Sequence, residues 1–303
     1  MLDYGRILTH SVTICWQQRR AIWPLLLLFS LSGLAAGLLN FWLAFDTRLA
    51  VVTDAEAVLR WLLVTESLPL AGVGPWATAV LLLLLLYWLI ITFAEGGLVG
   101  AVLSLQQGAV LDKTAVFGWG RRLLLRFLAI DALIFIPPFL LMFLALLLPF
   151  GSLLATVWLE PRVETVELLA MPLLLGAACG CLLLCLALPL LPLTLLWRTL
   201  ALRETAVRTP TIRAAIKKSV QVARTHPAEI LILALLLWGL VLTTHFLLSA
   251  VSWPLFALLS TLPVALSASL GLLLTVLRAI PQAVVQTYFI VAWTVGYMAL
   301  VTE

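Results

Sequence analysis

The chain has 303 residues, 64% of them hydrophobic and 11% charged, with a formal net charge of +4. A soluble domain carries about a quarter charged residues. This composition excludes a separate soluble domain and confines any chemistry to a bilayer or to short surface helices. Nucleic-acid binding is set aside as well, because no basic domain is free of lipid.

The first predicted element is an amphipathic helix over residues 3–18, with Tyr4, Leu8, Ser11, Val12 and Cys15 near one face. Arg19 and Arg20 end it, and Trp23 marks the membrane interface. A hydrocarbon core about 30 Å thick takes about 20 apolar residues as a helix. The first span is predicted from Ala21 to Phe45 and reads as a signal anchor that stays. A loop over 46–74 follows, with a short amphipathic piece over 55–64. The second span opens at Pro75, passes through the unbroken apolar run Ala79 to Phe93, and continues past Gly100.

Residues 109–122 are again amphipathic and basic. The third span is predicted over Leu123 to Phe150 and contains Pro137 and Pro138, which membrane helices tolerate. A loop over 151–166 leads to the fourth span, Glu167 to Trp197, with Pro189 and Pro192 inside it. A third basic surface stretch covers 210–226, and the fifth span covers Pro227 to Val251. The last apolar region, Pro263 to Val301, is interrupted at Arg278-Ala279-Ile280-Pro281. It is taken as one bent helix, since a lone arginine is too little charge to hold a turn at the membrane surface. The expectation is an all-α polytopic integral membrane helix bundle, one transmembrane domain over 1–303, with six main spans and amphipathic cytoplasmic surface helices.

Charge sets the orientation. Arg6, Arg19 and Arg20 precede the first span; Lys113, Arg121, Arg122 and Arg126 surround the start of the third. Arg198, Arg203, Arg208, Arg213, Lys217, Lys218 and Arg224 lie between the fourth and fifth. The intervening loops are acidic. Short loops rich in Lys and Arg stay cytoplasmic, which predicts a multi-pass protein of the cell (inner) membrane with its N-terminus inside. Anionic head groups suit such a face, and Arg19, Arg20, Arg121, Arg122, Lys217, Lys218 and Arg224 are the predicted contacts.

The chain also divides into three similar units, 1–108, 109–209 and 210–303. Leu8, Ser11, Val12 and Cys15 overlay Leu111, Thr114, Ala115 and Gly118, and again Ile216, Ser219, Val220 and Ala223. Each unit reads as a basic surface helix, a span, an outside loop and a long second span. The second spans carry predicted breaks at Gly96-Gly97, at Pro189 and Pro192, and at Pro281.

Chemistry rests on few residues. Glu95 and Asp131 fall at membrane depth, where a buried charge is expensive and marks a functional site by default. Arg126 and Arg198 are their predicted partners. Two readings stand: a proton, cation or head-group site, or interfacial groups that are solvated or ion-paired. His245, and the set Arg278, Gln282 and Gln286 around the Pro281 break, are the other polar candidates. Broken helices at matching positions in repeats mark binding sites in transporters; the plainer alternative is a proline kink with polar residues bridging helices. Gly96, Gly97, Gly100, Ala101 and Ser104 form a small-residue ridge for close helix packing, within the chain or between two copies. Cys179, Cys181 and Cys185 read as small packing residues rather than a metal set. No nucleophile elbow, phosphate loop, zinc motif or dinucleotide fingerprint occurs, so neither an enzyme nor a cofactor is expected.

With the basic helix before each first span, and with Glu95-Gly96-Gly97-Leu98-Val99-Gly100 leading to Lys113 through Arg126, the chain resembles a loose group of bacterial six-helix proteins. The group includes the membrane domain attached to some glycerophosphodiester phosphodiesterases. That family's chemistry resides in a soluble barrel absent here, so the resemblance carries over no catalytic residue and implies membrane residence with lipid-linked biology. The expected function is non-enzymatic: binding of membrane lipids or a protein partner, homo-oligomeric or not, in envelope organisation or export. The alternative is a secondary transporter with a polar site near the cytoplasmic leaflet. Transport predicts a water-filled cavity reaching mid-bilayer, and lipid binding predicts a packed centre with grooves opening sideways.

Overall fold

The computed structural model describes residues 2–31, 70–159, 166–208, 211–259 and 262–302. Nearly all of these are helical, as expected of long apolar runs that can satisfy their backbone groups in lipid only within a helix. The described elements are α1 (Tyr4–Gln17), α2 (19–31), α3 (Leu70–Gln106), α4 (Lys113–Leu159), α5 (Val166–Arg208), α6 (Ile212–Thr225), α7 (Pro227–Leu259) and α8 (Val264–Thr302). Stretches of α3, α4, α5, α7 and α8 are each long and apolar enough to cross a membrane. The predicted first span lies only partly among the described residues, which reach residue 31. The predicted amphipathic piece over 55–64 falls wholly outside them.

Local chemistry sets the helix ends. Asp3 caps α1, its carboxylate accepting the Arg6 N–H at 2.9 Å. Gly108 ends α3 in the left-handed region at φ +78°. There the Gly108 and Ala109 N–H groups return to the Leu105 and Ser104 carbonyls, both at 3.0 Å, closing a Schellman motif. Asp112 then starts α4, accepting from the Lys113 N–H and the Thr114 hydroxyl, each at 2.7 Å. The Thr114 hydroxyl and then the Lys113 N–H hold the Asp112 carboxyl below its usual range. Both separate surface helices end alike. The Gln18 N–H reaches the Ile14 carbonyl and the His226 N–H reaches the Val222 carbonyl, both at 3.0 Å.

Four expectations are corrected. The basic stretch 109–122 is not a separate surface helix, because α4 runs unbroken from Lys113. The loop expected from residue 151 begins no earlier than 160, since α4 continues to Leu159. The fourth span does not stop at Trp197 but reaches Arg208. The breaks expected at Gly96-Gly97, at Pro189 and Pro192, and at Pro281 are absent, the helix continuing through each. The common reason is that a buried or lipid-facing backbone has no water to turn to. A proline then costs one hydrogen bond without ending the helix. The last region is a single helix, as expected.

The spanning helices run from 33 to 47 residues, about 50–70 Å at the rise of an α-helix. They exceed the roughly 30 Å hydrocarbon core, so the bundle has two unlike ends. One is an apolar belt with exposed Leu81 to Leu86 on α3, Phe139 and Phe143 on α4, Leu182 and Leu188 on α5, and Phe246 on α7. The other is packed. Here Ala94 to Leu103 of α3, Leu200 to Ala206 of α5 and Ile290 to Tyr297 of α8 are largely buried. α1 lies across this end, with the Tyr288 hydroxyl donating to the Leu8 carbonyl at 3.3 Å and the Tyr4 hydroxyl to the Glu229 carbonyl at 3.4 Å. α6 docks on α5 through Ala215 and Ser219, whose hydroxyl accepts the Trp197 indole N–H at 3.0 Å.

The small-residue ridge is the seam between α3 and α4 of one chain. A Cβ on Gly96 would lie 3.2 Å from Leu123 Cβ, and one on Gly97 would lie 3.1 Å from the Val116 carbonyl oxygen. A Cβ on Gly100 would fall 2.2 Å from Trp119 Cγ and 2.4 Å from its Cβ. Ala101 is fully buried. Ser104 accepts the Trp119 indole N–H at 2.9 Å. Glycine at 100 is therefore what admits the tryptophan. Gly100→Ala is expected to cost about 1–3 kcal/mol, the range for overpacking a core. Gly118→Ala, where a Cβ meets nothing within 4 Å, should not lower the melting temperature in detergent and should raise it slightly, since alanine favours the helix over glycine by about 1 kcal/mol.

Candidate functional site: a buried charge network and a lateral groove

The packed end contains charge. Arg198 of α5 holds Asp131 of α4 in a two-point contact, Nε to Oδ1 at 2.7 Å and Nη2 to Oδ2 at 3.0 Å. The same Nη2 donates to Glu95 Oε2 of α3 at 2.8 Å. Arg203, one and a half turns further along α5, donates from Nη1 to Glu95 Oε1 at 2.9 Å and to its own helix at the Thr199 carbonyl, 3.2 Å. Two further donors reach Asp131 Oδ2: the Trp88 indole at 3.0 Å and the Thr92 hydroxyl at 3.4 Å. The Phe135 ring lies 5.5 Å from the Arg198 guanidinium carbon. Side-chain exposure is 1% for Asp131 and Arg203, 5% for Glu95 and 15% for Arg198.

Two acids and two arginines make this set neutral as a group. Burial decides its weight: an exposed ion pair contributes about 0–1 kcal/mol, whereas deleting one partner of a buried pair costs about 3–5 kcal/mol because it strands a charge. Beside it, Tyr297 donates its hydroxyl to Glu204 Oε2, and Lys218 Nζ of α6 approaches Glu204 Oε1 at 4.0 Å. Thr199, Thr205, Thr287 and Thr294 are buried too, and each returns its hydroxyl to the carbonyl four residues back at 2.8 Å.

Of the predicted polar residues, the structure thus brings Glu95, Asp131 and Arg198 together. Arg126 is not with them. Its Nη1 is buried without a hydrogen-bond partner among the described residues. The others form a separate group on α7 and α8. Arg278 donates to Ser249 Oγ at 2.7 Å and Ser252 Oγ at 3.2 Å, and Gln282 Nε2 lies 3.4 Å from His245 Nδ1. Gln286 is exposed and outside this group. Cys179, Cys181 and Cys185 are not packing residues but are exposed on α5, because the face that carries them looks outward. Arg19, Arg20, Arg121, Arg122, Lys217, Lys218 and Arg224 are all exposed.

A groove of about 980 Å³ lies between the α1–α2 joint on one side and α7 and α8 on the other. Its lining brings together Arg19, Arg20 and Lys113 with the indoles of Trp16 and Trp23. Further along α2 the lining turns apolar at Leu26, facing Leu240 of α7 and Val284 of α8. The Arg19 guanidinium carbon stands 5.1 Å from the Trp16 ring. Cys15 also lines the groove, and burial pushes its thiol up to about 11, so it is an uncharged, weakly nucleophilic group at neutral pH.

Sequence reasoning missed Arg203, Trp88, Thr92 and the Glu204–Tyr297 pair. Arg203 and Glu204 were assigned to a loop. The signal against that was present: no Gly or Pro lies between Pro192 and Pro210, so nothing stops α5 earlier. Trp88 and Thr92 sit about two turns and one turn before Glu95 in a run whose apolarity hides their role. Comparison of the chain with protein-family models, with curated proteins and with solved structures finds no match in any of the three.

Removing Arg198 strands Asp131 and leaves Glu95 with Arg203 alone. Arg198→Met is expected to lower unfolding stability in detergent by roughly 3–5 kcal/mol. Adding Asp131→Asn to that variant should recover part of the loss, because neutrality is restored. Thermal melts of the single and double variants, compared with Glu95→Gln alone, measure the coupling.

Proposed function

We propose that this chain is a non-enzymatic integral membrane protein that binds membrane lipid, or a partner within the membrane, in envelope organisation or export. The observation that carries the reading is the contrast between its centre and its side. The membrane-depth acids are ion-paired in a packed core, while the groove beside the α1–α2 joint has a largely apolar lining. A carrier of protons or cations needs an acid free to alternate between bound and unbound forms. Glu95 and Asp131 each already accept from arginine. The continuity of α8 through Pro281 also removes the broken helix on which the transporter alternative leaned.

The proposal includes six spans, with α2 continuing into the first of them, and both termini on the cytoplasmic side with α1 and α6. It also includes the three units 1–108, 109–209 and 210–303. Burial supports the repeat. Between the first and third units, at the same offset as the overlay, Ile22, Leu25 and Phe29 are buried and so are Ile230, Leu233 and Leu237. The spacing within each triplet is the same. Ser11 and Ser219 are both fully buried, and Gln18 and His226 cap their helices identically. The resemblance to phosphodiesterase membrane domains fits this lipid-linked reading through topology and supplies no residue role.

Native mass spectrometry after mild extraction is expected to show phospholipid retained on the protein. Reconstituted vesicles holding a pH-sensitive dye should show no proton flux under an imposed gradient. A flux that Glu95→Gln abolishes would establish the transporter reading instead, and a lipid-free, partner-free particle would remove the lipid-binding one.

A further inference from the structure

From the groove's composition we infer a site for one class of ligand: an anionic phospholipid, its phosphate held by Arg19, Arg20 and Lys113 and an acyl chain laid along Leu26, Leu240 and Val284. This rests on the lipid-binding reading above and names its ligand.

Three features argue for it. The first is charge. Arg19 and Arg20 begin α2 and Lys113 begins α4, so residues far apart in sequence converge on one groove. None of the three forms an ion pair with a carboxylate among the described residues, in contrast to Arg198 and Arg203. A cation cluster that forms no ion pair, with Asp112 beside Lys113 as a partial counter-charge, complements an anion, and arginine forks match phosphate oxygens in two-point contacts. The second is polarity along the groove. Trp16 and Trp23 stand near the cations, as indoles do at the head-group level of a membrane, and the lining becomes apolar two turns down α2. A free phosphate or nucleotide would have no use for that apolar part. The third is size: about 980 Å³ lies at the upper end of the roughly 300–1,000 Å³ range of small-molecule sites, enough for part of a lipid rather than an ion alone.

The occupant is thus a lipid with a negative head, and its selection acts through charge. Arg19 is held against Trp16, which orders one of the three cations before any ligand arrives.

The test uses the full chain in nanodiscs of equal phosphatidylglycerol and phosphatidylcholine, extracted and read by native mass spectrometry. Wild type should retain phosphatidylglycerol preferentially. Arg19→Gln, Arg20→Gln and Lys113→Gln together should lose that preference, by roughly five-fold for each charge removed. Val284→Trp, which fills the apolar part, should lose one retained lipid whatever its head group. Millimolar inorganic phosphate should displace nothing, since it lacks the chain. Neutralising Arg6 and Arg213, which are exposed and do not line the groove, should leave the preference intact. If the triple variant fails to fold, Arg20→Gln and Lys113→Gln singly give the graded loss.

Retention of phosphatidylglycerol by wild type and triple variant alike would overturn the site while leaving lipid binding in place. So would an equal loss from the Arg6 and Arg213 control, displacement by phosphate, or a protein subunit bound where Val284→Trp evicts it. A wild type that retains neither lipid would bring down the lipid-binding reading as well.

Discussion

The packed end of the bundle depends on one guanidinium. Arg198 reaches both Asp131 and Glu95 within 3.0 Å and so ties α5 to α4 and α3 at one level. Desolvating a charge in the interior costs several kcal/mol per ion, and the attraction offsets this only with good geometry and full hydrogen bonding. Asp131 meets that condition, with Arg198, Trp88 and Thr92 all donating to it. Glu95 meets it with one arginine on each oxygen. A slip of α5 by one turn, about 5.4 Å, would break every arginine contact to the two acids. The network therefore specifies the register of three helices that their leucine faces would not specify by themselves.

That register is reachable because α3 and α4 can come close. In lipid no hydrophobic force draws two apolar helices together, and packing takes its place. Gly96, Gly97 and Gly100 on α3 face Val116, Trp119, Gly120 and Leu123 on α4. The Trp119 ring occupies the space a side chain at 100 would take, and its N–H finds Ser104. The glycine seam sets the distance between the two helices, and the ion network beyond it sets their relative height. Each is weak without the other: a seam without the network is free to slide, and a network without the seam is too far apart to pair.

The cations divide into two populations with different work. Arg198 and Arg203 are buried, matched to acids and structural. Arg19, Arg20 and Lys113 are exposed, form no ion pair among the described residues and line open space. The joint between α1 and α2 creates that space, since the chain turns at Gln18 and carries its cations toward the gap beside α7 and α8. At the corresponding turn before α7, at His226, α6 is docked on α5 by Ser219 and Trp197.

Much of this molecule follows from composition alone. Long apolar runs with few charges can only be helices in lipid, and the amphipathic period of residues 3–18 and 210–226 marks α1 and α6 before any coordinate is known. The choice of Glu95 and Asp131 follows too, because an acid at membrane depth has to be matched by something. Of what matches them, Arg198 is legible as one of two candidates beside Arg126, and Arg203 is not. Arg203 looked like a loop residue since hydropathy falls after Trp197, and only the length of α5 carries it into the core. Pro189, Pro192 and Pro281 looked like breaks, since in water a proline usually ends a helix, and here the surrounding lipid or protein leaves the backbone no alternative. Pattern along one chain reports solvent and period, which are local properties. Which arginine meets which acid, and which cations stay unmatched around a groove, depends on distances between residues a hundred positions apart, and only packing sets those.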